Sequence, residues 1–464
     1  MLKAERAEFQ RTLDILKALK PVTVLPAFHG YLVDVRERNV RLVVSDGRSE
    51  IEAAMAAEET SGDESYTVPS LHLTGLIPAM EDQVLCLSRV GGEEKGAHCE
   101  LLGQRGRWKM NSLKGEMFPR IETEAPLQQI TGVPVGVLRE AIRRCEFAIP
   151  KNDVRYQMNT LLFDAKGDRG VSLVATNGVC LSVSQLTDGD HGCFRALLGH
   201  SDVVALGRVL QHITGKVSLG FSHRHFRMTG DGVSMIAQTV DAQYPDYEKA
   251  AAASVNVGVA PAAILNRRAF IESVERTVWV CDQAWHGVKL MIGKRFCALE
   301  SHNPTTKEDA SDEFPVDGVD RFPRSIIPVT IDHRWLLKAL KSIDAEQVRI
   351  TLPWQECHRG IALEAAEAPP CSHSCYEDAH MKRLARFPDD RLRVAGVGLA
   401  FVLALGMLGI LSFVDQRAID KHRASHVCQE TGCAPWAVCC APGTVMMVCV
   451  IKTARKTPSL RWGI

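Results

Sequence analysis

The sequence predicts an α+β fold made from one structural unit used three times, and three observations predict it. A hairpin corner recurs at a long interval, helical segments open and divide each unit at matching places, and aromatic-proline marks close the strand-rich runs in step. The corner stands out in SLVATNGVCLSVSQL (172–186), two runs of alternating apolar residues hinged on Thr176, Asn177 and Gly178. VRLVVSDGRSEIEAAM (40–55) repeats it around Ser45, Asp46 and Gly47, and Gly47 to Gly178 is a step of 131 residues. RFCALESHNPTTKEDASDEF (295–314) is a weaker third copy that puts Ser301, His302 and Asn303 at the corner. Such residues tolerate positive φ, as a tight hairpin requires. A strand follows where a phosphate-cradling loop needs a helix. Self-similarity at a fixed long period marks repeated units.

The elements follow in order. Helical periodicity predicts opening helices at 5–20, 135–149 and 266–280, and second helices at 69–80, 201–213 and 332–343. In the first, Phe9, Leu13, Leu16 and Leu19 line one stripe while Arg6, Arg11, Lys17 and Lys20 lie off it. MFPRI (117–121) and QYPDY (243–247) place Pro119 and Pro245 126 residues apart at the ends of strand-rich runs. The modules are therefore 1–124, 130–250 and 255–384, each with two helices over short antiparallel strands, followed by an extension, 385–464.

Composition sets limits. With 46% hydrophobic and 24% charged residues, the 464-residue chain is a globular protein with real cores. Its formal net charge of zero hides an asymmetry, because residues 379–464 hold 12 Lys+Arg against 5 Asp+Glu while residues 1–378 hold 43 against 50. An acidic body excludes a basic coat for nucleic acid but leaves room for a confined basic patch. The 7 cysteines before residue 357 are scattered among apolar neighbours and read as buried thiols of a reducing cytosol. MLKAERAEFQ has no apolar core and is not a signal peptide. No nucleophile elbow, phosphate loop or paired-carboxylate motif stands in the body, so no catalytic residue is assigned.

These segments resemble the bacterial sliding clamp, the beta subunit of the replicative DNA polymerase, over about residues 1–384. DVRYQMNTLLF (153–163) followed by LVATNGVCLSV (173–183) carries most of the resemblance, with TVPSLHL (67–73), FPRI, YPDY and WHGVKLMI (285–292) falling in step. The family implies three DNA-clamp modules per chain, with antiparallel sheets outside and two helices facing a central pore, closed head to tail by a second chain into a ring around duplex DNA. The function it implies is a non-catalytic processivity factor that tethers the polymerase to DNA, without a cofactor, in the cytoplasm. The alternative is a clamp-derived, membrane-anchored scaffold that no longer encircles DNA.

A sliding ring needs basic residues and no base-reading contacts, since phosphates carry no sequence information. The candidates are Arg11, Lys17, Lys20, Arg139, Arg143, Arg144, Arg267, Arg268, Arg276, Arg334, Lys338 and Lys341, and the resemblance adds Asn152, Tyr156 and Gln157. It also makes the second corner part of a groove for short apolar peptides of the polymerase catalytic subunit and the clamp loader. Met158, Thr176, Gly178, Val179, Leu181, Pro245, Lys249 and Met381 fall on its groove positions. The family's His-Arg after the glycine is Val179-Cys180 here, its basic pair opening the second module's second helix is His200-Ser201, and its closing MPMRL is echoed only by HMKRL (380–384). Trp108, Met110, Trp279 and Val280 fall on its dimer-interface positions.

The extension has no counterpart. VAGVGLAFVLALGMLGILSFV (394–414) is 21 residues without a charge, the length of a membrane-spanning helix. Arg391, Arg393, Arg417, Lys421 and Arg423 flank it on both sides and leave its orientation open. Beyond it His422, His426, Cys428, Cys433, Cys439 and Cys440 cluster without paired-knuckle spacing, and no metal is assigned.

Overall fold

Leu2 and Ala4 are fully buried, so the first strand, Leu2–Glu5, is an internal one, and it runs directly into α1 (Arg6–Leu16). The structure is a computed structural model that describes residues 1–20, 29–37, 39–91, 97–254, 260–282, 284–320, 328–353 and 360–366, with the strands Val397–Gly398, Val445–Val450 and Arg455–Lys456. Met381, most of the apolar run and the Cys/His cluster lie outside the described residues.

Two compact units result, the first holding nearly all of residues 1–245 and the second nearly all of the rest. In the first unit, a five-stranded antiparallel sheet has the order Glu59–Thr60, Leu2–Glu5, Val84–Val90, His98–Leu102, Arg107–Asn111. An eight-stranded sheet runs through two modules in the order Gln128–Pro134, Lys216–Phe221, His225–Gly230, Val233–Gln238, Ser49–Met55, Asn39–Ser45, Gly30–Arg36, Glu64–Pro69. Its central ladder, Val233↔Ala53 through Ala237↔Ser49, makes the seam of the first and second modules a backbone pairing. The second module's other strands are ordered Cys193–Gly199, Thr160–Lys166, Val171–Thr176, Cys180–Thr187. Phe163 lies 5.3 Å from Phe221 and 5.5 Å from Phe226 at the centre of that module's core.

The helices pack in pairs: α1 with α2 (Ser70–Ala79), α3 (Val135–Glu146) with α4 (His200–Val209). In α3 the buried residues Val135, Leu138, Ala141, Ile142 and Cys145 follow the helical repeat, and Cys145 Sγ donates to Leu173 O at 3.4 Å. Burial pushes the Cys145 thiol up to about 12, which makes it a packing group. Each fully buried Leu or Phe of such a stripe contributes about 1.5–3 kcal/mol.

The second unit begins with α5 (Tyr247–Ser254), a helix the pattern did not reveal, and continues with the pair α6 (Arg267–Thr277) and α7 (His333–Ser342). Asn266 caps α6 by accepting from Ala269 N at 2.9 Å, and Asp332 caps α7 by accepting from Arg334 N at 3.0 Å. Its strands are ordered Val445–Val450, Gly360–Ala366, Gln347–Thr351, Ala262–Asn266, Glu308–Asp320, Phe296–Asn303, Gly287–Ile292, Val329–Asp332. The 13-residue strand Glu308–Asp320 serves two neighbours, pairing through its first half with Phe296–Asn303 and through its second with Ala262–Asn266.

Two expectations change. The opening helices stop short, α1 at Leu16 with Lys17 as C-cap, and α6 at Thr277, where the β-branched Val278 starts a 3₁₀ turn to Val280. The third corner is not at Ser301-His302-Asn303, which remain in a strand; the chain turns after Asn303, and Lys307 takes the positive φ of 59°. The first two corners do turn on their glycines, at φ 86° for Gly47 and 83° for Gly178.

Candidate functional site

The basic residues on the helices are mostly held by acids of the same helix pair. Arg11 pairs with Glu8 at 3.2 Å and also donates to Ala54 O at 3.1 Å, and Lys17 pairs with Asp14 at 2.8 Å. On α3, Glu140 takes Arg143 at 2.6 Å and Arg144 at 2.8 Å, while Arg139 is exposed and makes no ion pair among the described residues. Lys20 is exposed at the end of the α1 turn. In the second unit Arg268 meets Glu272 at 2.9 Å, Arg276 meets Asp312 at 2.6 Å, Arg334 meets Asp332 at 2.7 Å, and Lys341 bridges to Glu275 at 2.6 Å. Lys338 sits over the Trp335 ring at 4.5 Å. The exposed pairs among these are worth at most about 1 kcal/mol, so their cations can turn to a phosphate, whereas the Arg144 side chain is only 11% accessible.

Arg267 is different. Its Nε donates to Ala345 O at 2.6 Å and its Nη1 to Leu340 O at 3.4 Å, so the guanidinium closes the C-terminal end of α7. His200 N donates to Asn159 O, and burial, with Lys151 nearby, holds its imidazole below the ordinary value and neutral. The basic pair that the resemblance expected at the start of α4 is thus absent in charge as well as in sequence.

The loop after α3 is built to present side chains. Asp153 accepts Arg155 Nε at 2.9 Å and Nη2 at 2.8 Å, and Asn159 clamps the Asp153 backbone from both sides, accepting from its N–H and donating to its carbonyl at 2.9 Å each. The Arg155 hydrogen bonds lower the Asp153 carboxyl to about 2. On this frame Asn152 and Tyr156 are exposed, Gln157 is half-buried, and Val154 is 97% exposed. Sequence reasoning passed over Val154 and the Asp153–Arg155–Asn159 frame, although the charge pair in DVRY was a signal for it.

At the second corner Thr176, Cys180 and Leu181 are buried and Val179 is half-buried. Ser182 Oγ donates to Arg144 O at 2.7 Å, which ties the strand after the corner to α3. Met158 is fully buried, Pro245 half-buried and Lys249 exposed at the start of α5. Met158, Thr176 and Pro245 fall in the first compact unit, and Gly178, Val179, Leu181 and Lys249 in the second. The first corner was not predicted to do anything, yet it is densely bonded: Asp46 Oδ1 accepts from Arg48 N and Ser49 N, and Ser49 Oγ donates to the buried Asp202 Oδ1 at 2.5 Å.

Of the four interface candidates, Trp279 is 86% exposed, Val280 and Trp108 are half-buried, and Met110 is buried within its own unit. Trp108 and Met110 lie on Arg107–Asn111, an edge strand of the five-stranded sheet. The Trp108 ring lies over Gly106, where a Cβ would come within 2.3 Å of it. No group of three or more His, Cys, Asp or Glu among the described residues could hold a metal ion. Of the seven cysteines before residue 357, Cys193 is exposed and Cys86 half-buried, against the expectation that all are buried.

Residues 132–246 match the family model of the DNA polymerase III beta subunit, central domain. The beta sliding clamp of Pseudomonas aeruginosa is 25% identical over 334 residues, covering 71% of this chain and 86% of that protein. That of Escherichia coli is 20% identical over 346 residues, covering 73% and 90%. Residues 132–246 thus carry that family's central domain, and the chain is similar to beta sliding clamps along most of their length. Solved structures of the family share its fold: a crystal structure of the sliding clamp of Pseudomonas aeruginosa bound to griselimycin superposes with a TM-score of 0.71 at 21% identity, covering 79% of this chain and 95% of that one. The beta subunit of Thermotoga maritima gives 0.67 at 19% identity, covering 78% and 94%. The shared part is therefore nearly a whole clamp, and what this chain adds lies largely beyond it.

Proposed function

We propose that the protein is a DNA sliding clamp: two chains close head to tail around duplex DNA, the ring slides without reading sequence, and it tethers the replicative polymerase, performing no chemistry of its own. The observation that carries this is the recurrence of a helix pair bearing basic residues in a chain related to beta sliding clamps along nearly their whole length. Arg11, Lys17, Lys20, Arg139, Arg143, Arg144, Arg268, Arg276, Arg334, Lys338 and Lys341 supply the charge, with Asn152, Tyr156 and Gln157 from the loop after α3. Because most of these cations are already paired, the net positive charge offered to DNA is small, and retention rests on topology more than on affinity.

The second corner is the docking groove for apolar peptides of the polymerase catalytic subunit and the clamp loader, with Val179 and Leu181 as its apolar wall. The exposed Trp279, with Val280, meets the edge strand of Trp108 in the partner chain and anchors the ring. The cytoplasm is where such a ring works.

Light scattering on the full chain tests the ring. At micromolar concentration the expected mass is twice the 51.1 kDa of one chain, and Trp279→Asp returns it to one. A single-chain mass for the unaltered protein, persisting in the presence of a clamp loader and DNA, would overturn the proposal.

A further inference from the structure

The chain after residue 366 contains the one feature the clamp reading does not absorb, the apolar run 394–414. Two backbone pairings bracket it. Val445–Val450 lies antiparallel to Gly360–Ala366 in the register Gly360↔Val450, Ile361↔Cys449, Ala362↔Val448, Leu363↔Met447. Val397–Gly398, inside the run itself, pairs with Arg455–Lys456 in the register Val397↔Lys456, Gly398↔Arg455. From these we infer that 394–414 does not cross a bilayer, and that the chain instead returns to seal the sheet edge of the third module with Val445–Val450.

The topology compels this. Neighbouring strands lie about 4.8 Å apart, whereas a bilayer's hydrocarbon core is about 30 Å thick, so residues 360–366 and 445–450 share one side of any membrane. A single crossing between them would separate them. A second crossing would need another uncharged stretch of spanning length, and the one that exists, 431–451, contains the closing strand itself. A residue cannot pair in this sheet and span lipid at once. Nor does a spanning helix leave Val397 and Gly398 available for an antiparallel ladder, since its backbone groups are used within the helix.

The same pairing explains the edge. Ile361, Ala362 and Leu363 are fully buried although Gly360–Ala366 has only Gln347–Thr351 on its other side. Left open, that edge would present a row of unpaired N–H and C=O groups over an apolar strand. The resemblance put the closing segment at 380–384; the strand beside 360–366 arrives instead after an intervening stretch, 367–444. The inference stands on backbone pairing alone and does not depend on whether the modules encircle DNA.

Cross-strand thiols test it in the full chain. Ile361→Cys places a thiol opposite the native Cys449, and the pair Ala362→Cys with Val448→Cys probes the adjacent register position; because hydrogen-bonded and non-hydrogen-bonded pairs alternate, one of the two has the close geometry a disulfide prefers. On mild oxidation, peptide mapping should find one of these bonds at roughly tenfold excess over links to any other cysteine, as the register requires. Links spread over Cys371, Cys375 and the other cysteines, with neither expected bond enriched, would overturn the closing strand. A second measurement uses the unaltered chain. On a density gradient after an alkaline wash it should remain with the non-floating fraction, and flotation with the lipid would overturn the exclusion of a span even if the cysteine variants fail to fold.

Discussion

The first and second corners share a backbone and differ in everything around it. Gly47 and Gly178 take φ of 86° and 83°, each between two strands. Around Gly47 the side chains are polar and mutually satisfied: Ser45 Oγ accepts from Gly47 N at 3.2 Å, Asp46 gathers two backbone N–H groups, and Ser49 reaches Asp202 at the start of α4. The strand that leaves this corner is the one that pairs with Val233–Gln238 of the second module. Around Gly178 stand Val179, Cys180 and Leu181. The same hairpin therefore serves as a stitch in one module and is flanked by apolar residues in the next, and the neighbours of the glycine decide which. A conserved shape fixes the turn, and the flanking residues assign its work.

The comparison can be broken at several points. Val179→Asp should weaken binding of a polymerase tail peptide by roughly 100-fold, because a carboxylate buried in an apolar pocket has no partner; fluorescence anisotropy measures it, and the dimer mass should not change. Asp46→Ala should leave that affinity unaltered. Met158 is fully buried and unsuited to such a test, since a charge there would disturb the core. Gly47→Val and Gly178→Val should each destabilise the fold by about 1–3 kcal/mol through positive-φ strain, read by chemical denaturation. Equal stability of either variant with the parent would remove the requirement for a glycine turn.

A smaller effect, of opposite sign, is expected at the seam. Burial raises the Asp202 carboxyl above its ordinary value of 3.8, so the ionised form opposes folding at neutral pH. Asp202→Asn, which still accepts from Ser49, should stabilise the chain by about 1 kcal/mol at pH 7, some 2–4 °C in Tm. The gain should vanish once the pH falls below the ordinary carboxylate range. The smallest effect lies in the loop after α3. Asp153 is lowered to about 2 by Arg155, so its contribution is present above 3.8 and lost as the pH falls toward 2. Asp153→Asn should leave stability unchanged near pH 2 and reduce amide protection of residues 153–159 at pH 7, measured by hydrogen exchange.

Local chemistry was legible in the sequence wherever it decides the structure locally. The glycine corners, the buried stripe of α1 and the helix pairs follow from spacing and turn residues, and the family could be recognised from DVRY and VATNG in their order. What could not be read depends on partners far along the chain. Nothing near Asp202 announces Ser49, 153 residues away. Arg267 looks like any exposed helix cation, and only the fold brings the carbonyls of Leu340 and Ala345 to it. Met110 falls on an interface position of the resemblance, and nothing in the sequence announces that it is buried within its own unit. The third corner was placed a few residues early: Ser301 and His302 remain in the strand, and the turn is 304–307, where Asn303 Oδ1 accepts from Thr305 N and Thr306 N and Lys307 takes the positive φ. The strand that seals Gly360–Ala366 lies beyond the apolar run, where periodicity gives no hint of pairing.

The central claim is topological, and so is its most direct test. Loaded by a clamp loader onto nicked circular DNA, the ring should remain bound when salt is raised to about 0.5 M, where electrostatic contacts to phosphate are largely screened, and linearising the same DNA should release it from the ends. Equal loss from circular and linear DNA as the salt rises would show a basic surface that does not encircle DNA, and would contradict the account.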